Sequence, residues 1–465
     1  MKRVAIIGGG MAGLAAAHTL NRAMSEEGVA IDWHLYEQQD RVGGKIVTDA
    51  QDGFVIEGGP DSFITQKPDG LALCKELGLD QELIPCNQDQ QKVYILVNGQ
   101  LCALPMGFRL TVPTRIWPFL RSPLFSWRAK LRMSMEPFIP ARQDDEDESV
   151  SAFITRRLGR EAADKIGGPL MAGIYVADPE RLSILSTFPM FRAMERQYDS
   201  LMRAMRVAAR KPSAKTPMFM SLKNGMGQLV ERLHAPLAAR CHTGVRVESI
   251  ETQAEAPYAL HTDDGIKWAD ALILAAPLPE TARLLADLDA TAAEELAGIR
   301  YVSTATLSLG YALPLNGVTQ PLDGFGFVIP RSEQRSILAC TWSSVKFDHR
   351  APDGHVLMRV FIGGDGQESL LEQSDDDLVT LARRELHDIL GLTNDPVLHR
   401  VYRWPRGNPQ YDVGHAARMR ALCARVHARS GLQLAGSGIQ GIGLPDCIKS
   451  GRSAAESILG FVAHA

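Results

Sequence analysis

Residues 2–20 read KRVAIIGGGMAGLAAAHTL, and this stretch decides the fold. Val4 to Ile7 is an apolar, partly β-branched run that reads as a buried strand. Gly8, Gly10 and Gly13 follow in GxGxxG spacing, and an alanine-rich helix is predicted from Met11 to about Met24. A second apolar run, Ile31 to Tyr36, ends in the acid Glu37, roughly 20 residues beyond the last glycine, as a dinucleotide fingerprint requires. The glycines let backbone approach a pyrophosphate, and the helix start at Met11 and Ala12 supplies N–H donors and partial positive charge. Glu37 would accept from a ribose hydroxyl. A Rossmann-like α/β fold holding an adenine dinucleotide is therefore expected, with His18 as a packing residue on the helix.

The composition narrows the classes. At about 150 residues per domain, 465 residues allow two or three domains. Lys plus Arg (50) nearly balance Asp plus Glu (54), giving a net charge of -4, so nothing global calls for nucleic acid. Seven cysteines without a CxxC pair suit a reducing compartment, and a cytoplasmic protein is expected. The first strand leaves no room for a signal peptide, and no apolar run approaches the roughly 20 residues that span a bilayer. There is no GxSxG or HExxH, and no metal site is expected.

EQQDRVGGKI (residues 37–46) resembles the second motif of the FAD-binding superfamily that includes amine oxidases and phytoene desaturases. The resemblance implies FAD rather than NAD, with Arg41, Gly43, Gly44 and Lys45 along the pyrophosphate. FVIEGGPDSFI (54–64) is similar to the flavin-edge segment of one branch, the protoporphyrinogen and coproporphyrinogen oxidases of haem synthesis, which brings in Gly59, Pro60, Asp61 and Ser62. GPLMAGIYVADPERLSI (168–184), SLKNGMGQLVERL (221–233), ILACTWSSVKFDHRAPDGHVLMRVFIGG (337–364), RWPRGNPQYDVGH (403–415) and GIGLPDCIKSGR (441–452) resemble the same branch, so the likeness spans almost the whole chain. GPDSF with the following Lys67, and CTWSS with the following KF, look like coproporphyrinogen oxidases. The likeness implies a flavin oxidase that converts a porphyrinogen to the porphyrin in repeated two-electron steps, with oxygen as acceptor. Coproporphyrinogen III is favoured over protoporphyrinogen IX. Another flavin oxidase, acting on an amine or a carotenoid, and a tetrapyrrole or flavin carrier remain as alternatives.

In that superfamily the C-terminal glycine segment returns to the cofactor's ring end. Here it brings Gly436, Ser437, Ile442, Gly443 and Leu444, with a strand expected at 432–436 and a helix from Leu444. Such a helix start stabilises negative charge building on a reduced flavin. Val247 resembles the position whose backbone meets the adenine side, and GVRVESIE (244–251) and DALILAAPLPETARLL (270–285) read as strands of the same sheet. The expected organisation is an FAD-binding domain from residues 1–60, 216–299 and 431–465, an α+β substrate domain from 61–95 and 300–430, and a helical insert from 96–215. The family places a backbone carbonyl near Gly173 against the tetrapyrrole N–H groups. Gly173 is thus the candidate catalytic and substrate-binding position, although a glycine there also permits close helix packing. Lys67 would pair with a propionate or be a surface lysine.

From Pro105 to Met135 the insert carries Arg109, Arg115, Arg121, Arg128, Lys130 and Arg132 with no acid, interleaved with Phe108, Trp117, Phe119, Phe125 and Trp127. That alternation suits peripheral contact with an anionic membrane surface, a solvated helical cap being the alternative. Docking of another haem-synthesis enzyme on the insert is left open. The acidic run Asp144 to Ser149 reads as an exposed turn.

Overall fold

The structure is a computed structural model that describes residues 1–105, 107–109, 111–210, 217–253 and 257–464. The expected boundary at 215–216 lies outside the described residues.

A five-stranded parallel sheet carries the N-terminal motif. Its order is Cys241–Thr243, Ile31–Glu37, Lys2–Ile7, Ala271–Leu274 and Leu432–Leu434, so it draws on chain segments hundreds of residues apart. Val4 sits between Trp33 and Ala271 in the ladder. At the sheet's centre residues 4–7 and Ala271–Leu274 are wholly apolar and buried because both faces are covered, whereas Ile31–Glu37 nearer the edge alternates, with Asp32 and His34 partly exposed. Helix Met11–Glu26 lies on one face, where Ala15, Ala16 and Ala17 are fully buried. Their small side chains admit helix Leu444–His464 so closely that a Cβ on Gly451 would stand 2.0 Å from the Ala12 carbonyl oxygen.

The segment 244–251 does not join this sheet. Val247–Glu251 instead opens an antiparallel meander with Tyr258–Thr262 and Gly265–Ala269. Thr262-Asp263-Asp264-Gly265 makes a tight hairpin, Gly265 at φ +99°, that pairs Tyr258–Thr262 with Gly265–Ala269, and Val247–Glu251 adds to the other edge of Tyr258–Thr262. Residues 278–285, expected to continue a strand, form a helix with Pro in its first turn.

A seven-stranded sheet runs Leu398–Pro409, Tyr301–Ala312, His355–Gly363, Ala339–Trp342, Gly324–Val328, Lys92–Val97 and Gln100–Ala103. The expected boundary at residue 96 cuts the Lys92–Val97 strand, so this sheet reaches into the segment expected to be helical. The rest of that segment carries helices Ile116–Arg121, Trp127–Ser134, Val150–Leu158, Pro189–Tyr198 and Leu201–Arg210 among shorter turns. Buried charges lock them together. Arg157 pairs with Glu136 and Glu195, all three side chains fully buried, and Glu136 also accepts the Leu201 N–H at 2.8 Å. Removing one partner from such a group strands a buried charge.

Candidate functional site

One cavity of about 1520 Å³ runs from the glycine loop to the Gly173 segment. Single-ligand pockets are typically about 300–1,000 Å³, so its size suits two ligands end to end.

At its first end the three motif glycines differ in purpose. Gly8 holds φ +108°, and a Cβ there would come within 2.9 Å of the Ala275 backbone; at Gly13 a Cβ would stand 1.9 Å from the Gly8 carbonyl oxygen. At Gly10 a Cβ would meet nothing within 4 Å, because it would point into the cavity. Gly10 is also the N-cap of helix Met11–Glu26 and provides no side-chain cap, so the first-turn N–H groups face the cavity unpaired. Glu37 is fixed beside them. One carboxylate oxygen accepts the Gly9 N–H at 2.6 Å and the other the Gln39 N–H at 2.9 Å, and each keeps lone pairs for a further donor. An open, donor-lined cradle with an oriented acid fits the adenosine and pyrophosphate of a dinucleotide.

Gly43, Gly44 and Lys45 continue the wall. Lys45 is half-buried, desolvation pushes its ammonium pKa down, and its Nζ donates to the Gly407 carbonyl. An added anion nearby would relieve that cost. Arg41 does not line the cavity: its guanidinium donates to the Val42, Gly44 and Ile46 carbonyls and clamps the loop. Gly13 also lies off the cavity, buried under Gly8. Val247 lines it beside Arg246, on the Glu37 side.

At the middle of the cavity stand Gly59, Pro60, Asp61 and Ser62, together with Gly436, Ser437, Ile442, Gly443 and Leu444. Three donors converge on the Gly58 carbonyl: Thr306 at 2.7 Å, Trp404 at 3.0 Å and Arg359 at 3.2 Å. Burial acts to raise the Asp61 carboxyl pKa, but the Lys346 ammonium at 2.8 Å and the buried Arg359 guanidinium more than offset it and hold Asp61 ionised. Lys346 is the lysine of the KF that follows CTWSS, and the sequence assigned no role to it or to Arg359, Thr306 and Trp404. The last three come from neighbouring strands, and the register of the seven-stranded sheet brings them together, while Lys346 ends the short helix Ser343–Lys346. Ser437 is backed by Tyr411, whose hydroxyl donates to the Ser437 carbonyl and whose ring stacks on His415 at 4.1 Å.

The C-terminal helix starts as expected at Leu444, but its first turn holds Asp446, which offsets the positive helix end. Lys67 lies 2.6 Å from both Asp446 oxygens and is not on the cavity wall. The ammonium expected to meet a propionate is therefore already paired, its partner brought in by the glycine turn at Gly441–Gly443.

At the far end Gly173 lines the cavity and is exposed to it. It follows a wide π-type helix, Ala163–Ala172, that contains Pro169. Such widened turns recur at functional sites. The Gly173 carbonyl accepts the Val176 N–H at 3.2 Å and has a second lone pair left.

A family model for flavin containing amine oxidoreductases matches residues 11–459. The chain belongs to that family. Because the cavity begins at a dinucleotide loop, the flavin of this family member is FAD. The chain is 35% identical to a coproporphyrinogen III oxidase of Bacillus subtilis over 99% of its own length and 98% of that protein's. It is 32% identical to a protoporphyrinogen oxidase of Bos taurus, covering 99% and 98%. A crystal structure of a putative protoporphyrinogen oxidase from Exiguobacterium superposes with a TM-score of 0.87 at 33% identity, covering 98% of each chain.

Proposed function

We infer that this flavin-dependent oxidoreductase converts a porphyrinogen to the porphyrin, with coproporphyrinogen III as the favoured substrate and oxygen as acceptor. The observation that carries the reading is the single cavity that joins a dinucleotide cradle to the Gly173 segment and is too large for the cofactor alone. The full-length likeness to porphyrinogen oxidases supports it.

Bound FAD supplies the two-electron sink; the chain supplies position and charge. Glu37 would hold the ribose, Gly10 and the uncapped helix start the pyrophosphate, Gly43, Gly44 and Lys45 its outer side, and Val247 the adenine. Leu444 and the Gly436–Gly443 turn would meet the ring. The Gly173 carbonyl would accept pyrrole N–H groups and so orient the macrocycle.

The insert adds a second element to the proposal, peripheral contact with an anionic membrane surface. Trp117 and Trp127 are each 72% exposed and Phe138 is 81% exposed, while Arg115, Arg121 and Arg128 are exposed alongside them. Phe108, Phe119 and Phe125 instead pack together inside. Lys130 is buried against the Leu120 carbonyl, and Arg132 caps the helix ending at Leu158 by donating to the Thr155, Arg156 and Arg157 carbonyls. The Arg109 side chain lies outside the described residues. Among the described residues no helix is long and apolar enough to cross a membrane.

The test is anaerobic stopped-flow reduction of the bound flavin by coproporphyrinogen III, protoporphyrinogen IX and a diamine. Fastest reduction by coproporphyrinogen is expected. Faster reduction by protoporphyrinogen reverses the substrate choice, and reduction by the diamine alone replaces the reading with an amine oxidase.

A further inference from the structure

We propose that Arg406 is a substrate-binding residue that takes a propionate carboxylate of the porphyrinogen; this rests on the function inferred above. Strand Leu398–Pro409 pairs with Tyr301–Ala312 in regular register except at one place. Trp404 stands opposite Thr304 and Asn408 opposite Val302, so Pro405, Arg406 and Gly407 together face the single residue Ser303. A bulge of this kind removes residues from the ladder and re-aims their side chains. Arg406 also holds φ +43°, a conformation that costs a non-glycine residue free energy and that recurs where a side chain must be presented.

The bulge lies where cofactor and substrate ends meet. On one side the Gly407 carbonyl receives Lys45 from the cofactor loop, and the Trp404 indole bonds the Gly58 carbonyl. On the other, the Arg406 N–H donates to Ser303 Oγ at 2.9 Å, the Ser303 carbonyl accepts the Gly364 N–H, and Gly364 abuts Val176, which follows Gly173 by one short turn. Arg406 lines the cavity and is exposed to it.

Its charge is what distinguishes it. The other arginines along this part of the wall are committed: Arg160 to Asp164 and Glu180, Arg331 beside Asp178 and Asp365, Arg403 to Asp375, and Arg359 to backbone carbonyls. Among the described residues Arg406 has no acid and no carbonyl on its guanidinium. A planar fork of donors facing a cavity is suited to a carboxylate held bidentately. Porphyrinogens of this class carry such carboxylates on flexible arms.

The experiment compares wild type with Arg406→Gly and Arg406→Lys, all loaded with FAD. Glycine adopts the positive φ freely, so that variant removes the charge and relieves the backbone. With coproporphyrinogen III the glycine variant should raise KM by about tenfold or more, the range of a lost charged hydrogen bond, with kcat and FAD affinity unchanged. Lysine should restore part of the loss. Detergent-dispersed coproporphyrinogen tetramethyl ester, which keeps the ring and lacks the charges, should show equal KM in wild type and the glycine variant. An unchanged KM for the free acid, or a loss of FAD affinity in its place, overturns the assignment while leaving the proposed function standing. Wild type that neither porphyrinogen reduces sinks both.

Discussion

Replacing Gly10 by alanine separates cofactor space from folding space. Its φ of −71° and ψ of −179° are open to any residue, and a Cβ would touch no protein atom within 4 Å. Alanine should therefore fold normally, and by restricting the unfolded chain it should stabilise the flavin-free protein by about 0.4–1 kcal/mol. The same methyl points to where the pyrophosphate must approach the helix start. Displacing that contact should weaken FAD at least tenfold, about 1.4 kcal/mol. Gly8→Ala and Gly13→Ala serve as contrasts. The first adds backbone strain of about 1–3 kcal/mol, and the second drives a methyl to 1.9 Å from a carbonyl oxygen, so both should lower stability before any cofactor is added. Thermal melts of deflavinated protein and FAD titration by fluorescence quenching measure the two quantities independently. A folded Gly10→Ala protein with unaltered FAD affinity would refute the placement of the pyrophosphate.

Two other tests address the insert and the wall behind Ser437. Reversing Arg115, Arg121 and Arg128 to glutamate should release the protein from anionic vesicles in a flotation assay with flavin content unchanged, and equal flotation of both proteins leaves the insert a solvated cap. His415 is buried against Tyr411, and burial lowers its pKa to about 4. The unfolded chain takes a proton near pH 6.5 that the folded state refuses until about 4, so stability falls as pH drops through that window, by about 1.4 kcal/mol per unit at most. Denaturant unfolding at pH 7 and 5.5 should show wild type losing about 1 kcal/mol more than His415→Phe; parallel losses in the two proteins contradict a neutral imidazole.

The parts of the fold read correctly from the sequence are those whose physics is local. The strand, glycine loop and helix from Lys2 to Glu26 satisfy their own geometric demands within one segment, as does the helix from Leu444. The segment 244–251 misled because an apolar alternation identifies a strand but not its partner, and it pairs with the edge of the hairpin at 258–269. Arg41 and Lys67 carry the right charge at the right sequence distance, yet carbonyls at 42–46 and Asp446 reach them first. Tryptophans and phenylalanines of the insert look alike in the sequence; packing turns three phenylalanines inward and two tryptophans outward. Arg359 and Arg406 were hidden for a different reason, since their meaning depends on which strands of the seven-stranded sheet lie side by side.

The same long-range assembly sets an order of events during synthesis. The glycine loop is made first, but the neighbour of its strand at Ala271–Leu274 and the closing segment from Leu432 onward come much later. At about 5–20 residues per second, the gap between the loop and its final covering helix is roughly 20–90 s. Through that interval the small-residue face of Met11–Glu26 has no partner, because Gly451 and its helix have yet to emerge. The two sides of the cavity are consequently joined only once the chain from residue 432 onward has emerged. A nascent chain stalled before residue 432 would hold the whole glycine loop and still lack the cavity wall formed by Gly436, Ser437 and Ile442 to Leu444.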